Sequence, residues 1–331
     1  MTKIVVITGA GAGVGRAAAE EFARAGCDVA LLSRDETRLA QAAEELGAYG
    51  VRVLPIPTDV ADAAAVDAAA EQVEQELGPI DVWVNVAMAT VFAPVSETTA
   101  EEIQRATAVT YLGQVHGMMA ALRPMRRRNR GAIVNVGSAL AYRSVPLQAA
   151  YCGAKFAARG FTDSLRSELI HDGSAVTLTM VHLPAINTPQ FDWSLNKTGR
   201  KAQPVAPIYQ PEVAARAIHH AAFHPKREYW IGAPVFKAIL ANHIAPGLLD
   251  RFLARSGYDG QLTETPLPAG AKGNLFEPVA GDFAAHGRFD ARQPRETSVT
   301  MLLGQHRGAL WAGAFAGLAL GATALARHLR R

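Results

Sequence analysis

The first two dozen residues constrain the fold of this chain more than any other stretch. Ile4-Val5-Val6-Ile7 is a short, wholly apolar run rich in β-branched residues, the mark of a strand buried on both faces of a parallel sheet. It opens directly into Thr8-Gly9-Ala10-Gly11-Ala12-Gly13-Val14-Gly15, and an alanine-rich helical stretch from Arg16 to Arg24 follows. A strand that breaks into a glycine turn and restarts as a helix is the setting a dinucleotide-binding loop needs. Glycines let the backbone approach a pyrophosphate, and the helix N-terminus supplies N–H groups and the positive end of a dipole.

The same alternation runs on. Apolar runs at 29–32, 51–56, 82–84, 132–136, 176–181 and 229–232 read as strands. Patterns at 35–46, 63–77, 101–125 and 212–222 read as helices between them. Strands alternating with helices predict an α/β fold with a doubly wound, mostly parallel sheet and helices on both faces. With 49% hydrophobic and 19% charged residues, the chain is globular and not disordered. A net charge of +3 is too small to argue for a nucleic-acid partner. The arginines at 123, 126, 127, 128 and 130 end a helix, where cations complement its dipole, so they are read as structural. Two cysteines, Cys27 and Cys152, form neither a disulfide framework nor a metal cluster, which suits a reducing compartment. The run Ile4–Ile7 is too short for a secretory leader.

The second strand ends in Ser33-Arg34. A ribose 2′-hydroxyl usually meets a carboxylate at this point, whereas a 2′-phosphate calls for a guanidinium. Ser33 in the carboxylate position and Arg34 beside it favour NADP(H) over NAD(H), although Asp35 stands close by, and Arg34 also reads as a solvated loop charge. Arg16, in the first helical turn, reads equally as a phosphate contact or as a surface residue. Thr58-Asp59-Val60, after the third strand, offers an edge for the adenine ring.

Candidate chemistry lies at Tyr151-Cys152-Gly153-Ala154-Lys155, with Ser138 thirteen positions upstream and just past a strand end. On a helix, Tyr151 and Lys155 share one face, so an ammonium would sit beside a phenol and lower its pKa toward neutrality. Such a phenol can give or take a proton, and a serine hydroxyl can hold a substrate oxygen. The same spacing also occurs in ordinary surface pairs, so the rest of the chain has to decide.

Taken in order, the Thr8-to-Gly15 motif, Asn85, Ser138, and Tyr151 with Lys155 resemble the short-chain dehydrogenase/reductase family over roughly 2–249. The resemblance implies a Rossmann fold, an NAD(P)-dependent oxidoreductase acting on carbonyl or alcohol groups, and a homo-oligomer. It implies Tyr151 as general acid/base, Lys155 as the residue that lowers its pKa and holds the nicotinamide ribose, and Ser138 as the orienter of the substrate oxygen. Thr8, Gly9, Gly11, Gly13, Val14, Gly15, Ser33, Arg34, Asp59, Val60, Asn85, Ala87, Tyr151, Lys155, Pro184, Ile186 and Thr188 would hold the cofactor, with no metal. Three positions depart from the family. Asn85-Val86-Ala87-Met88 replaces Asn-Asn-Ala-Gly, Thr110 stands where the fourth catalytic asparagine is usual, and Pro184-Ala185 replaces Pro-Gly. The altered positions motivate an alternative, a catalytically weak nucleotide-binding sensor or scaffold.

Residues 189–211 read as an irregular cap with Phe191, Trp193 and Tyr209, which suggests a hydrophobic substrate or, equally, a lid packed on the body. His182, His219, His220 and His224 are given no metal role. The expected divisions are 1–250 for the catalytic domain, 251–305 for an irregular extension, and 306–331 for an apolar helix with a basic end. Gly308 to Ala326 carries no charge and ends in arginines. As a helix it would span about 28 Å, enough for a bilayer core. Gly313, Gly317 and Gly321 would form a close-packing face. Two readings stand: a membrane anchor with the body on the cytoplasmic side, or a soluble helix packed on a partner subunit or on the body.

Overall fold

The computed structural model describes residues 2–281 and 283–298. Its first half runs β1 (Ile4–Thr8), α1 (Gly13–Arg24), β2 (Asp28–Ser33), α2 (Glu36–Gly47), β3 (Val53–Pro57), α3 (Ala63–Glu76) and β4 (Val82–Asn85). A short β5 (Val91–Phe92) precedes α4 (Ala100–Thr107), α5 (Gly113–Arg128), β6 (Gly131–Ser138), α6 (Ala149–His171) and β7 (Val176–Leu183). Then come α7 (Gln190–Trp193), β8 (Leu195–Asn196), β9 (Arg200–Ala202), α8 (Pro211–Phe223), β10 (Glu228–Trp230), α9 (Ala233–Ile244), α10 (Pro246–Ser256) and β11 (Leu262–Pro266).

Seven strands form one parallel sheet in the order β10-β7-β6-β4-β1-β2-β3. Parallel strands need crossover helices, and these bury both faces of the sheet. Phe22, Leu39 and Ile218 fill one side; Val66, Met118 and Leu165 fill the other. The strand order reverses between β1 and β4, which opens a crevice at their carboxyl ends.

Local chemistry sets the helix starts. Asp35 caps α2 through the Arg38 N–H, Asp62 caps α3, and Thr99 with Glu102 forms a capping box at α4. No side chain caps α1, which begins at the glycine turn. Two glycines there are obligatory. Gly9 has φ +70°, and a Cβ on it would lie 2.9 Å from Ala87 Cα; a Cβ on Gly15 would lie 2.2 Å from the Gly9 carbonyl oxygen.

The single helix expected over 101–125 is broken. Residues 108–112 form a widened π turn between α4 and α5. Within that turn the Thr110 hydroxyl accepts from Ala89 N–H (2.9 Å) and donates to the Ala89 carbonyl (2.8 Å). Both its bonds thus go to a neighbouring loop. The arginines that end α5 are ion-paired as expected for structural cations, with Arg123 to Asp67, Arg126 to Asp172, Arg128 to Glu74 and Arg130 to Asp81.

The extension carries the end of α10 and the strand β11 and lies packed on the body, and α10 crosses the expected boundary at 250. β11 pairs with β9, Gly13 N–H donates to the Ala284 carbonyl (3.0 Å), and Phe289 packs on Phe191. Among the described residues no helix is long and apolar enough to cross a membrane. The apolar run at 308–326 lies outside the described residues.

Candidate active site

The crevice is a cleft of about 600 Å³ that runs from the glycine turn to α9 and α10. Of the catalytic and cofactor positions that the family resemblance implies, all but Thr8, Asn85 and Thr110 line it. Those three lie just beneath its floor. Thr8 Oγ1 accepts from Val86 N–H (3.0 Å) and Ala87 N–H (3.2 Å), holding the loop after β4 against the glycine turn. Asn85 donates to Asn135 Oδ1 (2.9 Å) and accepts from Trp83 Nε1 (2.8 Å). Asn135 continues to Thr162 on α6 (3.0 Å). This buried chain of polar groups ties β4 and β6 to the helix that bears Tyr151.

Ser138 ends β6, its hydroxyl accepts from Leu140 N–H (3.1 Å), and it lines the cleft together with Tyr151. Leu147, at φ +67° and 4% exposed, leads into α6; its carbonyl accepts from Ala93 N–H (3.0 Å). A left-handed non-glycine residue persists only where packing over-determines it, and here it fixes the entry of α6. Lys155, one turn after Tyr151, is 2% exposed and donates Nζ to the Val136 carbonyl (2.7 Å). Its Nζ lies 5.6 Å from the Tyr151 ring centre.

One electrostatic expectation is corrected. Burial pushes the Tyr151 phenol above its ordinary value, with the Ser138 hydroxyl acting against that rise. Burial also pushes the Lys155 ammonium down, to about 7. Spacing alone predicted a depressed phenol, but it carries no information about the desolvation that dominates here.

The nucleotide end of the cleft suits a dinucleotide. α1 begins without a side-chain cap, and its Val14 and Gly15 line the cleft at a helix N-terminus, where N–H groups lack intrahelical partners. Ser33 and Arg34 face the same end. Arg16 is not a surface residue: it is 5% exposed, lies outside the cleft lining, and bonds Glu45 (2.7 Å) and the Arg38 carbonyl (3.3 Å).

Several neighbours were not visible in the sequence. Gln148 donates to Gln261 Oε1 (2.6 Å), and both line the cleft. Arg38, in the first turn of α2, lines it together with Arg34. Next to Ser138, His182 Nδ1 meets the Ser138 carbonyl (3.1 Å), and Glu228 bonds the Tyr142 hydroxyl and Trp230 Nε1 (2.8 Å). Burial works to raise the Glu228 carboxyl, but the nearby His182 ring (3.6 Å) and the bonds from Tyr142 and Trp230 bring it down to about 2. The cap aromatics divide their work: Phe191 and Trp193 line the cleft and also pack on Phe289 and Phe283 of the extension, whereas Tyr209 is buried.

Comparison with known proteins places these features in context. The family described as short chain dehydrogenase matches residues 3–198. The uncharacterized oxidoreductase YxnA of Bacillus subtilis is 32% identical over 281 residues, covering 84% of this chain and 79% of that protein. An alcohol dehydrogenase from the archaeon Thermococcus sibiricus, solved with 5-hydroxy-NADP, superposes with a TM-score of 0.60 at 27% identity, covering 70% of this chain and 96% of that one. L-sorbose reductase from Gluconobacter frateurii, solved with NADPH and L-sorbose, gives a TM-score of 0.62 at 27% identity over 70% of this chain and 95% of its own.

Proposed function

The chain belongs to the short chain dehydrogenase family of oxidoreductases, and from that premise we propose that it interconverts a hydrophobic carbonyl and its alcohol with NADP(H), using Tyr151 as general acid/base. The observation that carries this reading is that Ser138, at the end of β6, and Tyr151, on α6, line one cleft with Lys155 one turn on, and that cleft continues to the glycine turn.

A bound nicotinamide supplies or accepts the hydride. In reduction the Tyr151 hydroxyl gives its proton to the substrate oxygen while Ser138 donates a hydrogen bond to the same atom; in oxidation Tyr151 takes the proton back. Burial keeps the phenol protonated near neutrality, which suits the reductive role. Lys155 keeps α6 fixed on β6 and presents its ammonium to the nicotinamide ribose. Thr110, whose hydroxyl is engaged by Ala89, acts by holding the loop after β4. Arg34 and Ser33 favour the 2′-phosphorylated cofactor, and the NADP-type ligands in the two solved relatives support the same choice.

Pro234, Ala238, Phe252 and Leu253 join Phe191 in lining the far end of the cleft, which supports a hydrophobic substrate. Turnover of NADPH with a panel of hydrophobic ketones and aldehydes tests the assignment, and a chain that binds NADPH yet reduces none of them favours a sensor or scaffold. Exposed Ile103, Met119 and Phe156 support a homo-oligomer. The uncharged run 308–326 supports membrane contact on the cytoplasmic side; fractionation of the full chain against one ending before Gly308 tests it.

A further inference from the structure

Arg34 is gripped from one edge. Its Nη2 donates to the Asn274 carbonyl (2.5 Å), and its Nη1 donates to the Phe276 carbonyl (2.7 Å) and, at 3.5 Å, to that of Leu275. Three consecutive carbonyls of the extension therefore engage the two terminal nitrogens. Among the described residues, Nε meets no acceptor, and neither Asp59 nor Glu277 forms an ion pair with the guanidinium, although both act on it through space.

The gripping segment is itself anchored. Leu275 is 1% exposed and belongs to the core on the face of the sheet that Val66, Met118 and Leu165 fill. Its carbonyl also accepts from Arg105 Nε (3.1 Å), and Asn274 N–H donates to the Trp193 carbonyl (2.8 Å). Arg38 donates to the Val279 carbonyl (2.9 Å) a few residues on. Asn274 lines the cleft, and its Oδ1 is buried without a partner.

Two physical consequences follow. A long arginine side chain loses rotamer freedom when it captures an anion, and a guanidinium already held by its terminal edge has less to lose. A carboxylate clamp would cancel the charge, whereas neutral carbonyls orient the group and leave its charge for an anion.

We propose that residues 274–276 are a positioning clamp that holds the Arg34 guanidinium for the 2′-phosphate of NADP(H), so that the C-terminal extension forms part of the cofactor-specificity site. The proposal rests on the NADP(H) reading above. Arg34 is the binding residue, and the clamp acts through it.

The test is calorimetric titration of the full-length chain with NADP+ and with NAD+, for the native protein, Arg34→Ala, Leu275→Ala and the double variant, with thermal melts to confirm folding. Arg34→Ala should weaken NADP+ by about 30-fold and NAD+ by less than about twofold, the scale of a charge-assisted bidentate contact. Leu275→Ala should lower the NADP+/NAD+ affinity ratio by about fivefold, and the double variant should fall no further than Arg34→Ala alone, because both changes remove one coupled interaction. Phe276→Gly, whose side chain is half exposed, loosens the same carbonyls without touching the core and should shift the ratio in the same direction. Equal weakening of both cofactors, a tighter NADP+ site, or strict additivity in the double variant overturns the clamp while the NADP(H) reading stands. A native protein that prefers NAD+ overturns both.

Discussion

Lys155 donates its Nζ to the Val136 carbonyl at 2.7 Å, which binds the helix that carries Tyr151 to the strand that ends in Ser138. The bond satisfies one of three ammonium donors at a 2% exposed site, so the charge remains largely desolvated.

The first prediction follows from that burial. With its folded pKa lowered to about 7, Lys155 binds its proton less tightly in the native state than in the unfolded chain. Native stability therefore rises as pH climbs from about 7 to about 10.5, and below 7 the full penalty applies, up to about 5 kcal/mol. Lys155→Met removes this dependence. Its stability relative to the native protein should be most favourable at pH 6 and decline steadily toward pH 10, as read by denaturant melts without cofactor. A constant difference across that range would sink the assignment.

Tyr151→Phe should lower turnover by about 10³-fold or more, the range for loss of a positioned acid/base, with NADPH affinity changed less than about threefold. Because burial raises the phenol, alcohol oxidation by the native enzyme should accelerate as pH rises above 8, while carbonyl reduction stays high near neutrality. An active phenylalanine variant is incompatible with the proposed role. Steady-state rates in both directions provide the check.

Gly117 lets α5 approach β4: a Cβ there would lie 2.1 Å from Asn85 Oδ1 and 2.6 Å from Trp83 Nε1. Gly117→Ala should therefore disrupt the buried Trp83–Asn85–Asn135 chain and destabilise the fold by about 2–4 kcal/mol, despite the better helix propensity of alanine. Urea denaturation measures it, and a neutral or stabilising effect would contradict the packing described.

Glu228 contributes in the opposite pH window from Lys155. Its carboxyl, brought down to about 2 in the folded chain, adds stability above pH 4.5 that is lost as pH falls toward 2. Glu228→Gln should lose on the order of 2–3 kcal/mol at pH 7, with the difference from the native protein shrinking below pH 4. Equal acid sensitivity in both proteins would argue that its partners do not hold the charge.

Much of the fold could be read directly. The apolar β-branched runs and the helix caps are local, so Ile4–Ile7, Val82–Val84 and Asp35 declare their elements without knowledge of their neighbours. The engagement of Thr110 at the π turn could not be read, because its partner Ala89 is distant in sequence and adjacent only in the fold. Asn85 was legible as important, but its direction, toward Asn135 instead of the cleft, was not.

The sequence by itself determined the parallel α/β sheet, the glycine turn, and the presence of Ser138, Tyr151 and Lys155 in the right order, because spacing and periodicity are properties of a chain. Only the tertiary structure decided the state of those groups. Desolvation raised Tyr151 and lowered Lys155, and an aperiodic extension came to lie along Arg34. Burial and long-range backbone bonds arise from surfaces brought together on folding, and no local pattern encodes them.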